Sequence, residues 1–319
     1  MPKVDFPVNP IREKVYSRHE LFSKFEIDNE DSYINTLDFK AYRDFVLRGG
    51  SFPYSYYSGM MRSLHDFSIW NGVQEMMENN KIVAIMGGHK MDRSTKGAYA
   101  KIAKISHRLT REEYLLTSGG GPGAMEATHL GAYFSRYDIS ILEDAIKFLS
   151  QTPKLPRNLA GIIKDSEIDM NIAREAHAWI KPVFELMKKY PHGGESLSVP
   201  TWMYGHEPST PFASHIAKYY QNSIREDGLL AIAKYGVIYA EGKAGTIQEI
   251  FQDATQNFYK SFDWFSPMVF LGKKYWTEEF PVKSVLDKLI HAEEKARYLI
   301  YTDDIEEAVA FLKNFKPVS

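Results

Sequence analysis

The chain has 319 residues, 44% of them hydrophobic, so it can bury a sizeable core and has room for one large α/β domain with additions or for two ordinary domains. Thirty-nine Lys and Arg against 41 Asp and Glu give a net charge of −2, which excludes a broad basic field for holding nucleic acid non-specifically. The absence of cysteine excludes disulfides, thiolate metal sites and cysteine nucleophiles together and fits a reducing compartment. Met1 to Pro10 is polar rather than a basic stretch followed by an apolar run, and nowhere do 18 apolar residues follow one another. The expectation is a soluble, cytoplasmic protein with neither nucleic acid nor membrane as partner.

Residues 1–78 carry helical patterns, such as Leu64, Phe67, Val73, Met76 and Met77, broken by Gly49, Gly50 and Pro53, with no strand series. At Lys81 the character changes: Ile82 to Met86 reads as a short buried strand that ends in Gly87, Gly88 and His89. Ala98 to Leu109 has helical spacing, and a second strand, Tyr114 to Leu116, runs into a glycine cluster. Further strands are predicted at Leu197–Val199, Val237–Ala240, Met268–Leu271 and Tyr298–Tyr301, each separated by enough chain for a crossover helix. This alternation predicts an α/β fold with a doubly wound, mostly parallel sheet in residues 79–319, preceded by a mainly helical extension, 1–78. Residues 139–190 interrupt the rhythm with two helical patterns, Ile139–Leu149 and Ile168–Tyr190, and no convincing strand, so they read as an insertion.

Glycines between a strand and a helix let backbone N–H groups approach an anion at the positive end of the helix. Two such places occur. One is Gly119, Gly120, Gly121, Pro122, Gly123, Ala124 and Met125; the other is Gly242, Lys243, Ala244, Gly245 and Thr246. In a doubly wound sheet both lie at carboxyl ends of strands, where ligands collect, and together they suggest a phosphorylated ligand. Familiar alternatives fit poorly. The Walker spacing fails because Ala244 follows Gly242-Lys243 and Val237 stands where its first glycine belongs. The dinucleotide fingerprint is met only by Gly119, Gly121 and Ala124, after the second strand, and no strand precedes Asp138 to hold it against a ribose. His206-Glu207 lacks the second histidine of a zincin, and there is no G-x-S-x-G elbow. Plain tight turns with nothing bound are the competing structural explanation.

The segments Gly87-Gly88-His89, Gly119 to Met125, Glu207-Pro208, Arg225 and Gly245-Thr246-Ile247-Gln248-Glu249 resemble those of the LONELY GUY-type phosphoribohydrolases. Within that group they are most similar to pyrimidine/purine nucleotide 5′-monophosphate nucleosidases. The resemblance covers about residues 80–300. It implies a Rossmann-like fold, homo-oligomers (dimers or tetramers), and hydrolysis of the N-glycosidic bond of a nucleoside 5′-monophosphate to free base and ribose 5-phosphate, with no metal or organic cofactor. The family's P-G-G-x-G-T-x-x-E signature is imperfect: Glu241 stands where proline is usual and Lys243 replaces a glycine. A non-glycine residue would cost about 1–2 kcal/mol if that position needed positive φ. A lysine bonded to phosphate could return about 1.5–3 kcal/mol. A non-catalytic nucleotide-binding or sensor protein of the same fold is therefore the alternative.

Departure of a nucleobase leaves positive charge on the sugar, which a nearby carboxylate can stabilise while activating water. Glu249 is the candidate, one helical turn beyond Gly245. Thr246 to Glu249 also spells a capping box, in which the carboxylate would instead bond the Thr246 N–H. Arg225 is the candidate for orienting phosphate and sugar by its planar fork, and a surface pair with Glu226 or Asp227 is the ordinary alternative. The resemblance places Glu207 near the sugar and His89 near base or phosphate. Glu126 lies in a first helical turn, where a carboxylate suits the dipole for purely structural reasons, and stands outside the catalytic set. Trp202 and Tyr204 could stack a base, although core packing is the usual place of aromatics.

Overall fold

The computed structural model describes residues 6–259, 261, 264–290 and 297–316. The expected regions 1–78 and 79–319 also include residues 1–5, 260, 262–263, 291–296 and 317–319, which lie outside the described residues. The chain begins with β1 (Tyr16–Ser17), α1 (Arg18–Leu21), α2 (Leu37–Leu47) and α3 (Tyr56–Asn79). The hydroxyls of Thr36 and Ser55 accept from the N–H groups of Phe39 and Ser58 and so start α2 and α3. There follow β2 (Lys81–Met86), α4 (Ala98–Arg111), β3 (Tyr114–Ser118), α5 (Ala124–Tyr133) and α6 (Ile139–Leu149). Next come β4 (Ile163–Lys164), β5 (Glu167–Ile168), α7 (Met170–Lys189), β6 (Ser196–Ser198) and β7 (His215–Ile216). The chain finishes with α8 (Asn222–Ala231), β8 (Val237–Tyr239), α9 (Ala244–Tyr259), β9 (Met268–Leu271), α10 (Val282–Leu289), β10 (Leu299–Thr302) and α11 (Ile305–Asn314).

Eight strands form one sheet in the order β1-β7-β6-β3-β2-β8-β9-β10, parallel throughout except where β1 joins β7 antiparallel. From β6 to β10 this is the six-strand order of a Rossmann-like sheet, with its reversal between β2 and β8. Both faces are covered, which explains why the strands read as apolar runs rather than alternating ones. Ile82, Ala84 and Met86 of β2 face one core with Tyr239 and Phe270, whereas Val83 and Ile85 face the other with Ile102, Leu130 and Leu312. Each of the larger aliphatic and aromatic side chains among them contributes about 1.5–3 kcal/mol on burial.

Three strand features depart from the sequence expectation, one of them β7, whose two residues His215 and Ile216 show neither an apolar run nor an alternation. The N-terminal extension supplies β1, whose two residues carry no periodicity to read, and Tyr16, Phe22, Phe39, Phe45 and Ile69 share the core of Ile82 and Leu197. The insertion contains the β4–β5 hairpin, with Asp165 and Ser166 both at positive φ, +50° and +69°. Those angles make a tight two-residue turn without the usual Asn-Gly signal. Ile168 belongs to that hairpin, so α7 starts only at Met170, where Asp169 accepts from the N–H groups of Asn171 and Ile172. Among the described residues no helix is long and apolar enough to cross a membrane.

Candidate active site

The loops after β2, β3 and β8 leave the same edge of three adjacent parallel strands, at the reversal point where doubly wound sheets collect ligands. Gly88 stitches them together: its N–H donates to the Glu241 carbonyl at 3.1 Å, and its carbonyl accepts from the Ala124 N–H at 3.2 Å. Gly123 has φ of +72°, and a Cβ there would collide with the carbonyls of Gly88 and His89. Gly87 packs against Ala124 and Ala240, so backbone approaches backbone where side chains would otherwise intervene. Gly119, Gly120, Gly121 and Pro122 lie in the second of these loops and Met125 in the first turn of α5, while Gly242 and Lys243 lie in the third loop and Ala244, Gly245 and Thr246 in the first turn of α9.

The third loop accommodates its two unusual residues. Positive φ among the described non-glycine residues is confined to Lys24, Glu113, Asp165 and Ser166, so Lys243 carries none of the backbone strain considered for it. Glu241 leans towards Gly272, its Oε1 3.3 Å from the place a Cβ would occupy there. Ala244 and Gly245 are exposed at that start, and a Cβ on Gly245 would meet nothing within 4 Å.

Arg225 and Glu249 meet beside these loops. Their closest atoms, Nη1 and Oε1, are 4.0 Å apart, and the side chains are only 11% and 16% exposed. The Arg225 Nε–H donates to the Val199 carbonyl at 2.9 Å, which leaves the terminal nitrogens to face the site. Glu226 instead accepts from Asn222 and Gln248, and Asp227 from Gln252, so the surface-pair alternative for Arg225 does not form. Among the described hydrogen bonds the Glu249 carboxylate makes none with the Thr246 N–H, so the capping box is absent. Burial pushes the Glu249 carboxyl up to about 7, opposed by the Arg225 charge and reinforced by Glu226. A carboxyl poised there can exchange a proton near neutral pH.

Gly119 lies against the same guanidinium. A Cβ at Gly119 would collide with Arg225 Nη2 and sit 2.7 Å from Met125 Sδ. Gly119→Ala is therefore expected to displace Arg225 and weaken phosphate binding by about tenfold, the scale of one charge-assisted contact, while the thermal midpoint changes little. Titration calorimetry with ribose 5-phosphate checks it; unchanged affinity would remove Arg225 from the phosphate site.

Glu207 and His89 face each other on the other flank, His89 Nε2 4.0 Å from Glu207 Oε1. Both line a cavity of about 780 Å³ with Pro122 and Gly123, to which the insertion contributes Pro153, Leu155, Arg157, Leu159 and Trp179. Of the two aromatics considered for base stacking, Trp202 is fully buried and donates its indole N–H to Asp38 at 3.1 Å, which places it in the core. Tyr204 is 43% exposed. Among the described residues no three His, Asp or Glu gather as a metal ion would require.

Several buried polar groups behind the site had no readable signal. Glu126, predicted to serve the helix dipole, is fully buried and takes a two-pronged contact from Arg93, both bonds 2.7 Å, and the Tyr99 hydroxyl at 2.6 Å. Arg93 also lies 3.8 Å over the Trp179 ring, joining the loop after β2, α5 and the insertion. Asp253, one turn beyond Glu249, accepts from the Tyr239 hydroxyl at 2.7 Å, and burial pushes its carboxyl up to about 7. Lys218 bonds Asp38 of α2 at 2.6 Å and Ser209 at 2.8 Å, beneath the loop that carries Glu207.

No protein-family model matches this chain, and no curated protein matches it. Among solved structures, the X-ray structure of TM1055, a Northeast Structural Genomics Consortium target, is similar over 74% of this chain and 99% of its own, at 16% identity and a TM-score of 0.43.

Proposed function

We propose that the chain is a cytoplasmic, homo-oligomeric phosphoribohydrolase of the LONELY GUY type, cleaving the N-glycosidic bond of a nucleoside 5′-monophosphate to free base and ribose 5-phosphate. The observation that carries this reading is the meeting of Arg225 and Glu249, both largely buried, beside three glycine loops at the strand reversal. The phosphate takes the backbone N–H groups at the helix starts, and Arg225 orients it with the terminal nitrogens left over from its bond to Val199. As the base departs, the ionised Glu249 faces the cationic sugar, and the same carboxylate removes a proton from the attacking water. Ionisation of Glu249 is required for both roles, so activity rises with pH through about 7.

The test is incubation of the purified chain with a panel of purine and pyrimidine monophosphates, following free base and ribose 5-phosphate. Release that disappears in both Glu249→Ala and Arg225→Ala supports the reading. Tight nucleotide binding without base release replaces it with a nucleotide sensor, and enhancement of NADH fluorescence points to a dinucleotide enzyme.

A further inference from the structure

Asp66 lies on α3, in the N-terminal extension, and is completely buried. Its two carboxylate oxygens accept from the Tyr220 N–H at 2.9 and 3.2 Å and from the Gln221 N–H at 2.8 Å. These are the residues that lead into α8, and the Gln221 side chain itself makes no capping bond. One turn later the Arg225 N–H donates to the Gln221 carbonyl at 3.4 Å. Asp66 is held in turn. His65 Nδ1 lies 2.9 Å from it, and because a carboxylate only accepts, that nitrogen carries the proton. His65 Nε2 then accepts from the Tyr16 hydroxyl at 2.7 Å, and burial, opposed by Asp66, pushes the ring below the usual histidine value. A second contact seats the same helix: a Cβ on Gly228 of α8 would lie 2.8 Å from the Trp70 ring of α3.

We propose that Asp66 is a positioning residue of the candidate active site: its buried carboxylate clamps the chain entering α8 and thereby sets where Arg225 presents its guanidinium to substrate. The inference rests on the phosphoribohydrolase reading for the ligand that Arg225 meets. Its geometry belongs to the N-terminal extension, which gives that extension a part in the site without touching substrate.

The test is a double-mutant cycle of Asp66→Asn with Arg225→Ala read by the affinity for ribose 5-phosphate, which Asp66→Asn alone is expected to weaken about tenfold, together with kcat/KM for the best monophosphate in the Asp66→Asn single variant. Asp66→Asn keeps the volume but turns one acceptor into a donor facing an N–H. It is expected to lower kcat/KM about 10- to 100-fold, the scale of an ångström-sized misplacement. In the Arg225→Ala background the same change is expected to alter the affinity for ribose 5-phosphate less than about twofold, because the group it positions is gone. Equal losses in both backgrounds overturn the proposal in favour of general scaffolding. Should Asp66→Asn fail to fold, Asp66→Glu, which keeps the charge and moves its oxygens by one methylene, runs through the same cycle with the same two outcomes. A wild-type chain that neither releases base nor binds ribose 5-phosphate overturns the functional reading as well, so the two failures are distinguishable.

Discussion

Glu249→Gln is expected to lower kcat for base release by about 100- to 10,000-fold, the range for loss of a positioned acid–base group, with KM changed little. The amide keeps the shape of the side chain and removes only its charge and basicity, and in the proposed reading the phosphate is held by other groups. The same substitution makes a second, opposite prediction about stability. Burial raises the folded carboxyl from 4.5 to about 7, so the native state resists an ionisation that the unfolded chain undergoes freely. Below the unfolded value both states are protonated and nothing is lost. As pH rises from about 4.5 through about 7 the unfolded chain gives up its proton first and stability falls, levelling off above. Glu249→Gln removes this penalty, so it is expected to stabilise the protein at pH 8 by as much as about 3 kcal/mol and to gain little at pH 4. Urea unfolding at the two pH values measures the difference. A variant that is inactive and also less stable at pH 8 would mean that Glu249 is structural.

Glu126→Ala is expected to cost about 3–5 kcal/mol of stability, because it strands the Arg93 guanidinium in the interior, where both partners are almost completely excluded from water. The Tyr99 hydroxyl loses its acceptor in the same step. The double replacement Arg93→Met with Glu126→Met is expected to recover much of that loss, since a matched apolar pair leaves no orphaned charge. Denaturant midpoints of the two variants decide the matter: equal destabilisation would mean that packing volume, rather than charge pairing, dominates at this position. The interaction spans 33 residues and anchors α5, whose first turn receives the glycine loop after β3.

The joint between sheet and extension follows the same logic of buried charge. Lys218 with Asp38, and Asp66 with the backbone entering α8, are polar groups placed where water does not reach, and each has its partner. Both carboxylates come from helices of residues 6–78 and both act on segments next to the candidate site. The shared apolar core docks the N-terminal helices on the sheet, and these polar contacts fix where they sit.

Six strands, β2, β3, β6, β8, β9 and β10, were legible in the amino-acid order because each writes itself as a short, mostly apolar run. All but the edge strand β10 are buried along most of their length, whereas the two-residue β1, β4, β5 and β7 carry no such run. The glycine loops were legible too, since a turn that brings backbone against backbone tolerates little else. With the alternation of strand and helix these features determined the α/β class and the edge at which a ligand would sit. The rest was decided in space. Whether Glu249 would cap its own helix or face Arg225 depended on a neighbour 24 positions away in another element, and both choices satisfy the same local pattern. Asp66 reads as one more polar residue of a helix with no clear apolar face until the fold sets it beside Tyr220, 154 residues later. Periodicity records which face of an element is dry, whereas the partner of a buried polar group is set by long-range packing, and only the tertiary structure holds that information.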